Sequence, residues 1–234
     1  MEKIVILTGA GISAESGLGT FRDEGGLWTQ YALEDVATPE GFARDPVLVH
    51  EFYNARRAHA AEAAPNPAHL ALALLEAEHK GEVLIVTQNV DGLHEKAGCR
   101  NVLHMHGQLD RALCTGCGHR WEAPLEMSVE DECPACGARA VRPDVVWFGE
   151  MPYHMDRIDR ELAEADIFAA IGTSGQVYPA AAFGQMAGAY GARTVELNLE
   201  RSAASEDFGE MRHGPASKVV PAWVEELLGA RRAG

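Results

Sequence analysis

Lys3-Ile4-Val5-Ile6-Leu7-Thr8-Gly9-Ala10-Gly11-Ile12-Ser13-Ala14 is the stretch from which the fold is read. Residues 4–7 form a short unbroken apolar run, the pattern of a strand buried on both faces. The run leads directly into a G-x-G-x-x-A turn over residues 9–14, whose glycines let the backbone approach a pyrophosphate at a helix N-terminus. Three more runs, residues 83–86, 167–171 and 194–197, have the same character, and each is followed by Gly, Asn or Thr. Helical stretches lie between them. The best marked begins at Asn66 as N-cap with Pro67 in the first helical position, is expected to carry Leu70, Leu74 and Leu75 on one face, and stops at Gly81. Strands alternating with helices imply an α/β fold, a Rossmann-type parallel sheet with helices on both faces, whose ligands bind off the carboxyl ends of the strands. The acidic residue that ordinarily binds a ribose roughly 20 residues past such a turn is not evident, because that region reads as helix.

Two insertions interrupt the alternation. Residues 27–61 read as mostly helical, and residues 107–149 carry four cysteines. The expected division is a large domain of residues 1–26, 62–106 and 150–234, and a small domain of 27–61 and 107–149. Cys114 and Cys117 form one C-x-x-C pair, Cys133 and Cys136 another, with the 15 residues 118–132 between them. This is the spacing of a zinc ribbon, and Gly116, Gly118, Pro134 and Gly137 supply turns around the pairs. Four thiolates leave no open position on the metal, so a structural zinc is expected. Cys99 is left over, and an odd count of five favours metal over disulfides in a reducing compartment.

Composition narrows the function classes. The 234 residues are 47% hydrophobic and 24% charged, as in an ordinary globular chain and not a disordered or fibrous one. With 20 Lys+Arg against 35 Asp+Glu, the net charge of −15 argues against a nucleic-acid backbone as partner and favours a basic peptide. The N-terminus has no basic region before its short apolar run, and no apolar stretch approaches the 18 residues of a membrane span. A cytoplasmic protein, neither secreted nor membrane-bound, is expected.

Two further segments carry candidate chemistry: Thr87-Gln88-Asn89-Val90-Asp91-Gly92 at the end of the second strand, and His104-Met105-His106-Gly107 just before the cysteines. Glycine turn, Gln-Asn-x-Asp, His-Gly and four-cysteine ribbon stand here in the order found in the sirtuins, the NAD-dependent protein-lysine deacylases, and nearly the whole chain resembles that family. Gly172-Thr173-Ser174, Val177-Tyr178-Pro179 and Asn198 extend the resemblance. Gly19 stands where the family commonly has Pro, and Met105 where Leu is usual.

The resemblance implies NAD as co-substrate, one structural zinc, and acyl-lysine side chains of proteins as substrate. Nicotinamide would be displaced by the acyl oxygen and the products would be free lysine, nicotinamide and O-acyl-ADP-ribose. It implies His106 as general base on a ribose hydroxyl and Asn89 as its catalytic partner. Gly9, Ala10, Gly11, Ser13, Phe21, Arg22, Gln88, Asn89, Asp91, Gly172, Thr173, Ser174, Asn198 and Ala216 would surround the cofactor. His104 competes with His106. Only the latter adjoins Gly107, and the two are expected to point to opposite faces with separate roles. Residues 144–150, Asp-Val-Val-Trp-Phe-Gly-Glu, resemble the strand against which an extended acyl-peptide pairs, through Val145, Val146 and Phe148.

Tyr53 and Arg56 are three apart and share a helix face. They resemble the Tyr-x-x-Arg of sirtuins that remove succinyl and malonyl groups, and Ala37 matches the small residue of that class. Acidic acyl groups are therefore expected as substrates beside acetyl, with a monomeric enzyme acting on them. Two alternatives remain open at this stage. One is a zinc-ribbon binding module whose glycine turn is merely structural, and the other is a different NAD enzyme, an ADP-ribosyltransferase or a hydride-transferring dehydrogenase.

Overall fold

A computed structural model of the chain describes residues 1–19 and 31–229. The central sheet is built from β1 (Lys3–Thr8), β2 (Glu82–Thr87), β3 (Val102–His104), and, after a long interruption, three more strands at Ile167–Ile171, Arg193–Asn198 and Glu210–His213. The interruption holds β4 (Gly107–Cys114), β5 (Arg120–Glu122) and β6 (Val141–Val145), so the later three are β7, β8 and β9. The order across the large sheet is β3-β2-β1-β7-β8-β9 and every neighbouring pair is parallel. Counting only these six strands, the order is 3-2-1-4-5-6, the doubly wound arrangement whose crevice opens where the winding reverses. That reversal lies between β1 and β7.

Side-chain alternation explains why the strand sequences are apolar without a break. Ile4, Ile6, Val83, Ile85, Ile167, Ala169, Val195 and Leu197 face one way, onto α5 (Pro67–Glu78) and α9 (Ala216–Gly229) through Leu72, Leu75, Val220 and Trp223. Val5, Leu7, Leu84, Val86, Phe168 and Ala170 face the other, onto α7 (Met155–Ala163) and α8 (Phe183–Ala189) through Ile158, Leu162, Phe183 and Ala187. With helices on both faces, neither set of alternate residues meets water.

Two expectations of detail are corrected. In α5 the buried face is Ala68, His69, Ala71, Leu72 and Leu75, whereas Leu70 and Leu74 are about half exposed. Positions 68, 71, 72 and 75 form the i, i+3, i+4, i+7 row, and 70 and 74 lie on the neighbouring row turned outward. The expected start of that helix stands, because Asn66 accepts from Ala68 N–H at 2.9 Å and a reciprocal cap joins it to His69. The second correction is that the sheet has two strands beyond the four read from apolar runs. β3 is three residues long and β9 reads Glu-Met-Arg-His, an edge strand with alternate residues exposed.

The interruptions form their own layer. α2 (Leu33–Val36), α3 (Pro39–Arg44) and α4 (Pro46–Glu62) precede α5, and β4, β5 and β6 make a three-stranded antiparallel sheet in the order β5-β4-β6. Val36, Ala37, Val49, Phe52 and Tyr53 from the helices share one apolar cluster with Leu109, Val145 and Trp147 from the strand segment. Among the described residues no helix is long and apolar enough to cross a membrane.

Candidate active site

The glycine turn sits at the winding reversal because nothing larger than hydrogen fits there. Gly9 N–H donates to the Ile171 carbonyl at 3.0 Å and Gly11 N–H to the Gly172 carbonyl at 2.9 Å. A Cβ on Gly9 would stand 2.8 Å from that Gly172 oxygen, and one on Gly11 2.8 Å from the Gly172 Cα. Gly172 itself has φ +63°, and a Cβ there would meet Ile12 N at 2.4 Å. The turns after β1 and β7 are thus packed backbone to backbone, which brings Gly172 and Thr173 beside residues 9–12, with Ser174 next along the chain. The helix opened by the turn, α1 (Ala10–Ser13), is a single turn continued by a short 3-10 segment to Ser16. Asn198, at the end of β8, donates from Nδ2 to the Thr173 carbonyl at 2.7 Å, and Ala216 opens α9 on the same edge of the sheet. Phe21 and Arg22 lie outside the described residues.

Beyond the end of β2, polar side chains converge on Ser13. Asn89 Nδ2 donates to the Gly9 carbonyl at 3.2 Å and to Ser13 Oγ at 3.1 Å, and Ser13 Oγ donates to Asp91 Oδ2 at 3.1 Å. The other Asp91 oxygen accepts from Leu93 N–H at 3.0 Å. Burial pushes the Asp91 carboxyl up from its ordinary value, and those two hydrogen bonds oppose the push. Gln88 is held by its N–H to the Thr8 carbonyl at 2.9 Å. Glycine turn, Ser13, Gln88, Asn89 and Asp91 therefore meet in one place although they come from two strand ends.

The two histidines do not face apart. Residues i and i+2 of an extended chain share a face, and both rings lie over the same loop, His104 Nδ1 at 3.2 Å from the Asn89 carbonyl and His106 Nδ1 at 3.1 Å from the Gln88 carbonyl. Their second nitrogens distinguish them. A carbonyl only accepts, so His106 carries its proton on Nδ1 and presents the lone pair of Nε2. Burial lowers its pKa, opposed by the bond to Gln88, so the ring is neutral at pH 7. His104 Nε2 lies instead 2.7 Å from Glu95 Oε1. Gly107 follows with φ +78°, its Cα pressed against the β6 backbone where a Cβ would meet the Asp144 carbonyl at 2.1 Å. This contact requires glycine after His106 and fixes where the ring stands.

Tyr53 and Arg56 do share a face of α4, with the Arg56 guanidinium 5.6 Å from the Tyr53 ring centre. Tyr53 is 2% exposed, and its oxygen accepts from Trp147 Nε1 at 2.9 Å. Ala37 packs in the same cluster. Trp147 was missed in the sequence, as was what holds it. Arg142 lies flat over its ring at 3.4 Å and grips Glu150 with both terminal nitrogens at 2.7 and 2.9 Å. Glu150 in turn accepts from Trp147 N–H at 2.8 Å. The signal available was Glu150 itself, a carboxylate ending an apolar run three residues after a tryptophan.

The expected peptide-pairing strand is shorter than residues 144–150. β6 ends at Val145, and the N–H groups of Val146, Trp147 and Phe148 are taken by the His106 carbonyl, Glu150 and the Ala37 carbonyl. Val145 is buried and Phe148 half exposed. Once the chain turns, its donors are spent on fixing His106 and Ala37.

Cys114, Cys117, Cys133 and Cys136 bring their Sγ atoms within 4.8 Å of one another, with Cys114–Cys136 and Cys117–Cys133 both at 3.7 Å. Sulfurs at about 2.3 Å from a tetrahedral zinc are about 3.8 Å apart, so the donor set fits that ion. Burial pushes the Cys99 thiol up to about 12, which keeps it protonated and inert in the core.

Comparison with known proteins agrees with this geometry. The Sir2 family matches residues 9–179. An NAD-dependent protein deacylase of Caulobacter vibrioides is 56% identical over 97% of both chains. One of Escherichia coli K12 is 55% identical over 100% of this chain and 86% of its own. A solved Sir2 homologue, a mutant in complex with ADP-ribose, superposes with a TM-score of 0.91 at 38% identity, over 99% of this chain and 94% of the other. With nearly three-quarters of its length matched by the family and relatives above half identity along almost all of it, the chain belongs to the Sir2 family.

Proposed function

We propose that this chain is an NAD-dependent protein-lysine deacylase, and that His106 is its general base. The observation that carries the reading is the His106 Nδ1 bond to the Gln88 carbonyl, which leaves a neutral ring with its Nε2 lone pair free to accept a proton. Bound NAD would supply a ribose carbon with nicotinamide as leaving group, ending as O-acyl-ADP-ribose beside free lysine. The fit is supported by a glycine turn packed on Gly172 and by Ser13, Asn89 and Asp91 converging on it. Gly9, Ala10, Gly11, Ser13, Gly172, Thr173 and Ser174 would hold the phosphates together with Arg22, and Phe21 would shield the reacting carbon. Asn198 and Ala216 would hold the adenosine, and Gln88, Asn89 and Asp91 the nicotinamide ribose and carboxamide.

Tyr53, Arg56 and Ala37 would line the acyl end, and Val145, Val146 and Phe148 the peptide. Since Trp147 donates to the Tyr53 oxygen, the phenol's own O–H is left to donate elsewhere. Beside a guanidinium, that donor suits a carboxylate, which supports succinyl and malonyl groups as substrates in addition to acetyl. The same reading includes the division into a large domain (1–26, 62–106, 150–234) and a small one (27–61, 107–149), a monomer, a cytoplasmic location and no nucleic-acid partner. Mass spectrometry of one peptide carrying acetyl-, succinyl- or malonyl-lysine, with and without NAD, tests the activity. Loss of the acyl group without NAD, or no loss with it, refutes the proposal.

A further inference from the structure

His104 has no part in the chemistry assigned above, yet it is among the most constrained side chains near the site. It is 7% exposed and lies between two acceptors, the Asn89 carbonyl at 3.2 Å from Nδ1 and a Glu95 carboxylate oxygen at 2.7 Å from Nε2. A carbonyl accepts only, and an ionised carboxylate accepts only, so both contacts are hydrogen bonds only if both nitrogens carry protons. Burial disfavours the charged ring, and the Glu95 bond and charge oppose it, with a net upward shift in pKa. The other charged groups around it divide. Asp91, on the loop after β2, favours the cation. His94, on α6 (Leu93–Ala97), is kept neutral by burial. On the open side, a cleft of about 470 Å³ also presents Arg111, Arg120, Asp144 and His154, with Arg120 already paired to Asp144 at 3.0 Å.

We propose that His104 and Glu95 form an imidazolium–carboxylate strut that positions Asn89, and that loss of its proton produces the alkaline limb of the deacylase activity. His104 is a positioning residue. It touches the Asn89 backbone, whose side chain reaches Gly9 and Ser13, and so acts through that amide. When the ring loses a proton, one remains for two acceptors. The carboxylate, the stronger acceptor, keeps it, and a lone pair on Nδ1 then faces the Asn89 oxygen. The loop is pushed away from the position that the glycine turn requires. His106 titrates in the opposite sense, since it must be neutral to act. The two rings, both over the same loop, thereby bound the activity from opposite sides of the pH scale.

The proposal rests on the deacylase reading for its kinetic consequence but not for the state of the ring. In the intact protein, nitrogen-15 NMR should find both nitrogens of His104 protonated at pH 7 and His106 neutral with its proton on Nδ1. A neutral His104 overturns the strut whether or not the protein deacylates anything. Glu95→Gln tests the kinetics. Its amide can donate to Nε2 of a neutral ring, so Nδ1–H stays on Asn89 at every pH, the plateau of kcat/KM is kept and the alkaline limb disappears. His104→Ala should lower kcat/KM by roughly tenfold, as expected for one lost buried hydrogen bond, while leaving the acid limb where it is. An alkaline limb unchanged in Glu95→Gln, or a wild-type plateau and profile in His104→Ala, refutes the positioning role. An absence of NAD-dependent deacylation in the unmodified protein refutes the deacylase reading alone.

Discussion

His106 sits where its own burial resists protonation, and the consequence is a definite sign of pH dependence. Its folded pKa is lowered from 6.5, so the fraction of active base falls only as pH drops through that lowered value, and activity should persist below pH 6.5 on its acid side. His106→Ala should lose about 10² to 10⁴ in kcat and the acid limb with it, with zinc content and melting temperature kept. Retained activity in that variant would place the base elsewhere. Arg56 decides acyl choice in the same local way. Arg56→Met should lower kcat/KM for succinyl-lysine by roughly tenfold or more, since a charged hydrogen bond is worth about 1.5 to 3 kcal/mol. Acetyl-lysine should change little, and Arg160→Met, on the exposed side of α7, gives the comparison. Arg57, next to Arg56 on α4, would be a poor comparison. It is 4% exposed, with donors on the Leu109 and Leu125 carbonyls and on Asn54 at 2.7, 3.0 and 2.8 Å, so its loss would loosen the strand layer. Equal losses on both acyl groups in Arg56→Met would leave the Tyr-x-x-Arg pair without a role in recognition.

Elements differ in how far their sequence fixes them. β1, β2, β7 and β8 were legible because each is covered on both faces and so is apolar throughout, and α5 because Asn66-Pro67 announces its start. β3 and β9 were not, since an edge strand of three or four residues needs no apolar pattern and is specified by the neighbour it pairs with. The outward row of α5 misled for a related reason, as leucines alone do not say which row faces the sheet. The cysteine module was legible from spacing, a local quantity, whereas the Arg142–Glu150–Trp147–Tyr53 chain joins α4 to residues about 90 positions away and could be seen only folded. Apart from its cysteines the module's core is small, Ala112, Met127 and Val141, with Trp121, Ala123 and Ala140 partly buried against it. Removing zinc by chelation should therefore unfold β4 to β6, and activity should vanish with it, because β4 begins at Gly107 and the His106 carbonyl is tied to Val146. Circular dichroism, metal analysis and activity should fall together. Cys99→Ser should leave the metal content at one zinc per chain. A chelated protein with unchanged melting and turnover would refute the structural role.

At the scale of the whole molecule, the site and the core share one stretch of buried polar groups. Thr87 and Thr8 bond at 2.8 Å, Thr8 meets His94 Nε2 at 3.0 Å, and the His94 ring lies edge-on to His69 with centres 5.1 Å apart. His69 then approaches Ser13 at 3.5 Å, which returns the path to Asn89 and Asp91. Both histidines are fully buried, with no carboxylate bonded to them among the described residues, and burial lowers their pKa to about 4 for His69 and about 3 for His94. In the unfolded chain each titrates near 6.5. Their contribution is thus fully present above pH 6.5 and is lost as pH falls towards 4 and then 3, because the unfolded state binds protons that the folded state refuses. His104 has the opposite sign, its raised folded pKa adding stability below 6.5 that disappears as pH rises through the folded value. With His106 also lowered by burial, the acid-sensitive histidines around the site outnumber the alkali-sensitive His104 and make the acid side the weaker. Urea unfolding should show a loss of a few kcal/mol between pH 7.5 and pH 4, of the order that two such shifts imply. His94→Gln, which cannot titrate, should shrink that loss while costing some stability at pH 7.5. A stability independent of pH over this range, or an undiminished loss in His94→Gln, would show that the pair does not set the acid limit of the fold.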